Sequence, residues 1–398
     1  MKRTVMLLLP DFFPVPDVKG GGVELLITQL MNENEKRGDM KLVIVSKYDK
    51  EAAAIRYHNS SIYYFEKGNI VNRTIADLEE CREKYLSGIE PTDTAPEPID
   101  SFVLQCLCIA EQERAEKLII ENMFITDRFK PLIDYFGKEN VFNHLHCHRR
   151  DSGHESELVP NTLSISRFVR DEWLRYSCSA GRNEVLYNCV DTEKYAGSLS
   201  DSDRQHMRES LGFCEDDIIV TFCGRLIPVK GVGQLLDAFE LIDEKNIKLM
   251  LIGSFRYASK EWDRFSQKTV ARALKMKNVT YMGYIPNAEM PDYYAISDIL
   301  TVPSVWQEGA GLVALEGMAS GLPLIITDSG GMVEYVNDDC AVKVPIDGSL
   351  PQNLANNILA LAHNKALRKK MSSAGKLRAA LFDKKNYYQN FSDIVCAD

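Results

Sequence analysis

The sequence lacks the features that mark three classes of protein. Its 398 residues contain no apolar run near the length of about 18 that is typical of a membrane-spanning helix. A net charge of -10 argues against a global basic surface for nucleic acid. The ten cysteines are scattered and form no CxxC pair, so we expect reduced, mostly buried thiols. These absences predict a cytoplasmic protein with no nucleic-acid partner.

The N-terminus also lacks the signature of a signal peptide. The apolar run from Val5 to Leu9 is short, and no small-residue cleavage site follows it. A buried first strand explains this run better. What the chain does have is an ordinary globular composition, with 45% hydrophobic and 26% charged residues.

Predicted strands and helices alternate along the chain. TVMLLLP reads as a strand, DVKGGG as a glycine loop, VELLITQLMNENEKRG as a helix that Gly38 ends, and KLVIVS as the next strand. The alternation begins again near Asp191 and is typical of parallel sheets with crossover helices. We therefore predict an α/β protein with two doubly wound, Rossmann-like domains, residues 1–190 and 191–383. A final helix over 384–398 is expected to pack back on the first domain, and SGIEPTDTAPEPID, residues 87–100, is expected to be a turn-rich, mobile loop.

Two cations follow a predicted strand of the second domain. The segment GRLIPVKG, residues 224–231, carries Arg225 and Lys230 at the strand end where doubly wound sheets bind ligands. A guanidinium and an ammonium group together suit a diphosphate, although two solvated surface cations are the alternative. Gly253, in LIGS, ends another strand at a point where the backbone could approach a ligand.

Two carboxylates occur in VPSVWQEGAGLVALEGMASGLPLIITDSGG, residues 302–331. Glu308 lies in a glycine turn before a predicted helix, and Glu316 lies within that helix, about 12 Å further on if the whole interval is helical. The free N–H groups at a helix start bind anions. The two acids could therefore reach opposite ends of an elongated ligand. The alternative is one acid near a helix start and a second, exposed acid in mid-helix.

Four of the seven histidines occur in NHLHCHRRDSGH. On a strand, His144, His146 and His148 would share one face, with Cys147 on the other. A metal site is one interpretation of these histidines, and ordinary packed side chains are another. Because the nearest carboxylate along the chain lies beyond a turn, we assign no metal here.

In this order and spacing, GRLIPVKG, LIGS, GYIP and PSVWQEGAGLVALEGMASG resemble motifs of the nucleotide-sugar glycosyltransferases of family 4. The resemblance extends to GGGVELLITQL, TLSISRFVRDEW and LYNCVDTEKY and is weakest over residues 51–140. It implies the GT-B fold, in which the two domains face a cleft. It also implies sugar transfer with retention of anomeric configuration, without a metal or other cofactor.

The resemblance also implies roles for single residues. Arg225 and Lys230 would bind the donor diphosphate, Glu308 would hold the donor sugar, and Glu316 would take the ribose hydroxyls. His146, or else His148, would lie near the reacting sugar. The loop from Gly20 to Gly22 would face the cleft, unless it is only a tight strand-to-helix turn. The catalytic set is then His146, Glu308, Arg225 and Lys230, and the donor-binding set is Gly21, Gly22, Arg225, Lys230, Gly253, Glu308, Gly309, Ala310, Gly311, Leu312 and Glu316.

Two positions depart from the family pattern. Ala310 stands where a larger residue or proline is usual, which bears on the donor-sugar pocket, and Cys189 stands where glycine is usual. The expected function is transfer of a sugar, UDP-linked by expectation, to an acceptor hydroxyl in cell-surface glycan synthesis. A nucleotide-sugar epimerase of the same fold and a non-catalytic donor-binding subunit are the alternatives.

The C-terminal segment reverses the sign of the charge. Residues 364–388 carry eight lysines and arginines against one acid, Asp383. The segment predicts either a solvated helix face or peripheral contact with an anionic membrane. Such contact, at the inner membrane face, would suit an enzyme that serves a lipid-linked or glycan acceptor.

Overall fold

The computed structural model describes residues 2–75, 78–87, 99–151, 153–178, 180–197, 199–255 and 263–397. The chain divides into two compact units, each built on one sheet: Met1–Tyr187 with Tyr387–Asp398, and Asn188–Asn386. The predicted α/β class with two parallel-sheet domains is confirmed. Most of the loop predicted over 87–100 lies outside the described residues.

The first unit contains an eight-stranded sheet in the order β4-β3-β2-β1-β5-β6-β7-β8. All neighbouring strands are parallel except β3 and β4. The strands are β1 Arg3–Leu8, β2 Met40–Lys47, β3 Ser60–Glu66, β4 Asn69–Ile70, β5 Lys117–Glu121, β6 Val141–Leu145, β7 Asn161–Ser164 and β8 Asn183–Val185. The helices are α1 Gly22–Arg37, α2 Leu78–Ser87, α3 Ser101–Glu113, α4 Lys130–Phe136, α5 His154–Leu158 and α6 Arg167–Leu174.

The second unit contains a six-stranded parallel sheet in the order β11-β10-β9-β12-β13-β14. Its strands are β9 Ile218–Cys223, β10 Ile247–Ile252, β11 Val279–Gly283, β12 Ile299–Val302, β13 Leu324–Thr327 and β14 Ala341–Val344. The remaining helices are α7 Thr192–Ala196, α8 Asp201–Ser210, α9 Val232–Glu240, α10 Arg264–Ala273, α11 Met290–Ala295, α12 Leu312–Ala319, α13 Leu350–His363, α14 Lys365–Ala380 and α15 Lys384–Cys396.

Continuous apolar runs form the central strands because helices cover both faces of a parallel sheet. Val5, Met6, Leu7 and Leu8 of β1 are fully buried. The helix that follows ends as the sequence predicts: Gly38 adopts a left-handed conformation and donates its N–H to the carbonyl of Asn34. Among the described residues, no helix is both long enough and apolar enough to cross a membrane.

The unit boundary lies close to, but not at, the positions expected from the sequence. Residues 188–190 and 384–386 belong to the second unit rather than the first. They are held there because Val190 pairs with Asp383 in an isolated parallel bridge. Its hydrogen bonds run from Val190 N–H to the Phe382 carbonyl (2.9 Å) and from Lys384 N–H to the Val190 carbonyl (3.1 Å).

Candidate active site

In the second unit, the sheet brings one predicted cation to one predicted acid. Strands β9 and β12 are neighbours, so the loops that follow them leave the same edge of the sheet. These loops are joined by a hydrogen bond from Val305 N–H to the Val229 carbonyl (2.9 Å). Lys230 Nζ then lies 2.6 Å from Glu308 Oε1. The pair is largely shielded, with side-chain exposures of 28% for Lys230 and 15% for Glu308.

Glu308 is fixed by contacts on several sides. The hydroxyl of Ser304 donates to the same carboxylate oxygen that contacts Lys230. The Glu308 N–H donates to Ser329 Oγ (3.2 Å), and its carbonyl accepts from Gly331 N–H (2.6 Å). Gly330, at φ +53°, passes so close that an added Cβ would lie 2.3 Å from the Glu308 carbonyl oxygen. The acid therefore has one orientation set by backbone as well as by side chains.

Arg225 lies on the same loop as Lys230 but makes no such pair. Its side chain is exposed and, within the described part of the chain, has no hydrogen-bond or ion-pair partner. A guanidinium with its donors available suits an oxyanion group that accepts two parallel hydrogen bonds, such as a phosphate.

The start of α12 follows Glu308 directly. Gly311 precedes the helix, and no side chain among the described residues caps its N-terminus. The first N–H groups of the helix are therefore left for another partner, as expected for an anion site. Gly309, Ala310 and Leu312 are partly exposed beside them.

Glu316 is buried, so the alternative of an exposed acid in mid-helix is wrong. Its exposure is 7%, and its carboxylate accepts hydrogen bonds from the Tyr294 hydroxyl (2.9 Å) and from Asn287 Nδ2 (3.4 Å). Burial raises the pKa of Glu316, while the hydroxyls of Tyr294 and Tyr195 and the charge of Lys194 partly offset this rise. A carboxylate accepts about four hydrogen bonds. Glu316 therefore retains capacity for a ligand hydroxyl.

Gly253 has a structural reason to lack a side chain. At φ +143°, an added Cβ would lie 1.8 Å from the Gly224 carbonyl oxygen. Its N–H donates to the Gly283 carbonyl (2.7 Å). This glycine lets the loops after β9 and β10 close on each other, and its contact with a ligand stays a prediction.

In the first unit, β6 is shorter than the sequence predicts. Strand pairing with β7 stops at Leu145, so His146 and His148 lie beyond the strand. The prediction that three histidines share one strand face is therefore wrong. His148 instead packs edge-on against Phe168, with 5.7 Å between ring centroids, whereas the His146 ring lies 4.0 Å from that of His144.

Glu121, the last residue of β5, is not among the site residues predicted from the sequence. Its Oε2 atom lies 2.7 Å from His146 Nε2 and 2.9 Å from His144 Nδ1. The nearest carboxylate in space thus comes from the neighbouring strand and not from along the chain. These three side chains place one ligand-type atom each within 4.8 Å of one another, so they could hold a metal ion. An acid directly after the apolar residues LII was the only signal for it.

The glycine loop before α1 packs tightly against a buried acid. Gly20 and Gly21 have φ values of +83° and +112°, and a Cβ on Gly21 would lie 2.1 Å from Glu24 Oε2. Burial raises the pKa of Glu24 to about 7, and the charges of Asp17 and Glu121 add to the rise. The tight-turn interpretation of this loop has direct packing support, and ligand contact at Gly21 and Gly22 stays a prediction.

Residues 203–378 match the family model for "Glycosyl transferases group 1". The chain is 26% identical over 394 residues to spore coat protein SA of Bacillus subtilis (strain 168), covering 94% of each chain. It is 28% identical over 263 residues to the lipopolysaccharide 1,2-N-acetylglucosaminetransferase of Salmonella typhimurium (strain LT2), covering 63% of this chain and 65% of that protein. Its fold is similar to that of Anabaena Alr3699/HepE in complex with UDP and glucose, at a TM-score of 0.70, 18% identity and 99% coverage of both chains.

Proposed function

Because residues 203–378 match the family model for glycosyl transferases group 1 and the chain has the GT-B fold, we propose that it is a retaining, metal-independent glycosyltransferase. It transfers a sugar from a UDP-linked donor to an acceptor hydroxyl in cell-surface glycan synthesis. The observation that carries the proposal is the contact of Lys230 with Glu308 beside the uncapped start of α12. The UDP complex of the Anabaena protein and the lipopolysaccharide substrate of the Salmonella protein support the donor and acceptor classes.

Four charged residues of the second unit have a part in donor binding. Arg225 and Lys230 bind the diphosphate and offset the charge that develops as it leaves. Glu308, held by Ser304 and Lys230, accepts hydrogen bonds from the donor-sugar hydroxyls. Glu316 takes the ribose hydroxyls. The N–H groups from Gly309 to Leu312 cradle the sugar and phosphate. Ala310, where most of the family has a larger residue or proline, bears on the shape of the donor-sugar pocket.

The reaction itself needs no protein base. The acceptor oxygen forms a bond to the anomeric carbon on the face from which the diphosphate leaves, and the bond from that carbon to the phosphate oxygen breaks. The leaving phosphate takes the acceptor proton. His146, rather than His148, contacts the reacting sugar, and the backbone at Gly21 and Gly22 approaches a phosphate or the acceptor.

A donor-dependent assay tests the proposed function. A thermal-shift screen of nucleotide sugars identifies the donor, and transfer is then measured on lipid-linked, glycan and small-molecule acceptors. Acceptor-dependent release of UDP with a new glycosidic product supports the proposal. Conversion of the donor sugar without an acceptor would instead identify an epimerase, and tight donor binding without turnover would identify a non-catalytic subunit.

We expect full activity in excess EDTA, because Arg225 and Lys230 supply the charge that a divalent ion would otherwise supply at the diphosphate. Initial rates with and without EDTA, and after added Mg²⁺ or Mn²⁺, check this expectation. Loss of activity in EDTA with recovery on adding a divalent ion would contradict metal independence. Glu121, His144 and His146 would then be the candidate metal ligands.

The basic C-terminal segment has fewer free charges than its sequence suggests. Arg368 donates to the Leu361 and Ala362 carbonyls (both 2.6 Å), and Arg378 donates to the Tyr335 and Glu334 carbonyls (2.9 and 2.7 Å). Two further lysines form ion pairs with acids from residues 191–193. The remaining cations are exposed and have no ion pair among the described residues: Lys365, Lys369, Lys370 and Lys376.

Exposed leucines lie among these four lysines. Leu367, Leu377 and Leu381 have exposures of 37%, 75% and 60%. Because residues four apart share a helix face, Leu377 and Leu381 adjoin one another. Lys370 lies about two turns before Leu377 on the same face. We propose that this surface of α14 and Leu381 makes peripheral contact with an anionic membrane at the inner face, where a cytoplasmic enzyme meets a lipid-linked acceptor.

Changing the four free lysines to glutamine is expected to lower binding to anionic vesicles at least about tenfold, because each nearby cation contributes about 1 kcal/mol. Co-sedimentation at low and high salt measures the effect. The matched control changes four exposed lysines elsewhere in the same unit to glutamine: Lys245, Lys268, Lys275 and Lys277. Equal loss in both variants, or equal binding to neutral and anionic vesicles, would contradict the membrane contact.

A further inference from the structure

Glu121 is held by the sheet, whereas His146 is not. Glu121 is fully buried and lies directly beside His144 in the register of β5 and β6. The next residue, Asn122, donates its N–H to the His144 carbonyl (3.0 Å), which ties the end of β5 to β6. His146 follows the last paired residue of β6, so strand pairing does not set the orientation of its ring. The orientation of the ring is set instead by the contact of His146 Nε2 with Glu121 Oε2, at 2.7 Å.

The contact also decides where the His146 proton lies. An ionised carboxylate only accepts hydrogen bonds, so the nitrogen that faces it must carry the proton. That nitrogen is Nε2. In a neutral imidazole the other nitrogen, Nδ1, is then an acceptor. Within the described part of the chain, Nδ1 has no hydrogen-bond partner.

The ionisation states agree with this geometry. Burial and the adjacent His144 lower the pKa of His146 to about 4, although Glu121 opposes the change. Burial alone would raise the pKa of Glu121, but contacts with His144 and His146 bring it down to about 2. Both directions agree with a carboxylate that accepts a hydrogen bond from His146 Nε2.

We propose that Glu121 is a positioning residue, which holds His146 as the Nε2–H tautomer and thereby leaves Nδ1 to accept a hydrogen bond from a substrate hydroxyl. The inference rests on the proposed glycosyl transfer. It makes the histidine an acceptor rather than a donor or a cation, so the group it recognises is a sugar O–H and not a phosphate oxygen.

Bound metal is the competing explanation for the same three side chains. Glu121 Oε1 and both ring nitrogens of His144 are buried without a hydrogen-bond partner of good geometry, which a metal ligand set would also show. The two explanations differ at His146. If a metal ion is bound through Nε2, that nitrogen carries no proton, whereas in the positioning role it does.

Nitrogen-15 NMR of histidine-labelled protein reads the tautomer directly, with the His146 signals assigned by their loss in His146→Phe. We expect the Nε2–H form in the wild type at neutral pH and a mixture of tautomers in Glu121→Gln, which keeps the size of the side chain but removes its charge. An Nδ1–H form, an imidazolium or a stoichiometric bound metal in the wild type would overturn the inference without any variant.

Kinetics test whether the tautomer matters. We expect Glu121→Gln to lower kcat about 10- to 100-fold with little change in the donor KM, and to cause no further loss in a His146→Phe background. The control is Glu113→Gln, which removes another largely buried carboxylate, one that pairs with Lys41 and accepts from Tyr63 (2.7 Å). It should leave kcat unchanged.

The outcomes separate this inference from the proposed function. If the wild type transfers sugar and Glu121→Gln changes neither tautomer nor kcat, only the positioning role is overturned. Equal losses in Glu121→Gln and Glu113→Gln would indicate a structural effect and also overturn it. If the wild type transfers no sugar to any acceptor, the proposed function fails, and the role toward a sugar hydroxyl fails with it.

Discussion

Glu308→Gln and Lys230→Ala are each expected to lower sugar transfer at least about tenfold while leaving the fold intact. In the proposed site, each variant removes a charge-assisted hydrogen bond to the donor, of a kind that contributes about 1.5–3 kcal/mol. In the wild type, Lys230 Nζ lies 2.6 Å from the Glu308 carboxylate. Glu308→Gln also replaces one of the two acceptor oxygens of this carboxylate with an amide N–H donor. Initial rates at saturating acceptor, with circular dichroism to check the fold, measure the effect.

The two variants should differ in how the loss divides between kcat and KM. Lys230→Ala removes a charge that matters most as the diphosphate leaves, so kcat should carry much of its loss. Two exposed residues of the same unit provide matched controls, Glu215→Gln and Lys275→Ala, and neither should change the rate. Near wild-type turnover in both Glu308→Gln and Lys230→Ala would refute the assignment of the donor site.

Gly231→Ala is expected to destabilise the protein by at least about 2 kcal/mol, because a left-handed backbone and a close contact act at one position. Gly231 has φ +71°, and an added Cβ would lie 1.7 Å from the Pro303 carbonyl oxygen. That carbonyl belongs to rigid backbone before Glu308, so the loop carrying Lys230 must move away from it. Thermal unfolding should show a fall in Tm of roughly 4–8 °C for a unit of this size, with loss of transfer.

Gly233→Ala is the matched control, two residues further along. Gly233 lies in α9, and an added Cβ would meet nothing within 4 Å. Alanine is favoured over glycine in a helix by about 0.5–1 kcal/mol, so this variant should be slightly stabilised and fully active. A similar change of Tm in both variants would show that the contact with Pro303 does not limit stability.

The opposite charges of Lys230 and Glu308 bear on how the proposed site would bind a donor. Lys230 and Ser304 both contact the same oxygen of Glu308, so the acid is oriented by its neighbours. A donor that approaches Lys230 meets an ammonium group already partly neutralised. The exposed Arg225 guanidinium is not neutralised in this way, so it offers the stronger attraction for the diphosphate.

Much of the fold follows from the sequence by itself. Apolar runs of strand length alternate with helical periodicity, and glycines such as Gly38 mark helix ends, because each signal depends only on neighbouring residues. The same local rules placed Glu308 in the loop before α12 and Glu316 within that helix. They also placed Arg225 and Lys230 after β9, where parallel sheets carry their ligand groups.

Only the tertiary structure decided which of these residues meet. Glu121 and His146 are 25 residues apart and come together because β5 and β6 are paired in one register. Glu316 is buried because Tyr294, from a different helix, covers it. Arg368 and Arg378 donate hydrogen bonds to nearby backbone carbonyls and so do not add to a free basic face. Strand order, register and helix packing join residues that are distant along the chain, and no local pattern in the sequence records those distances.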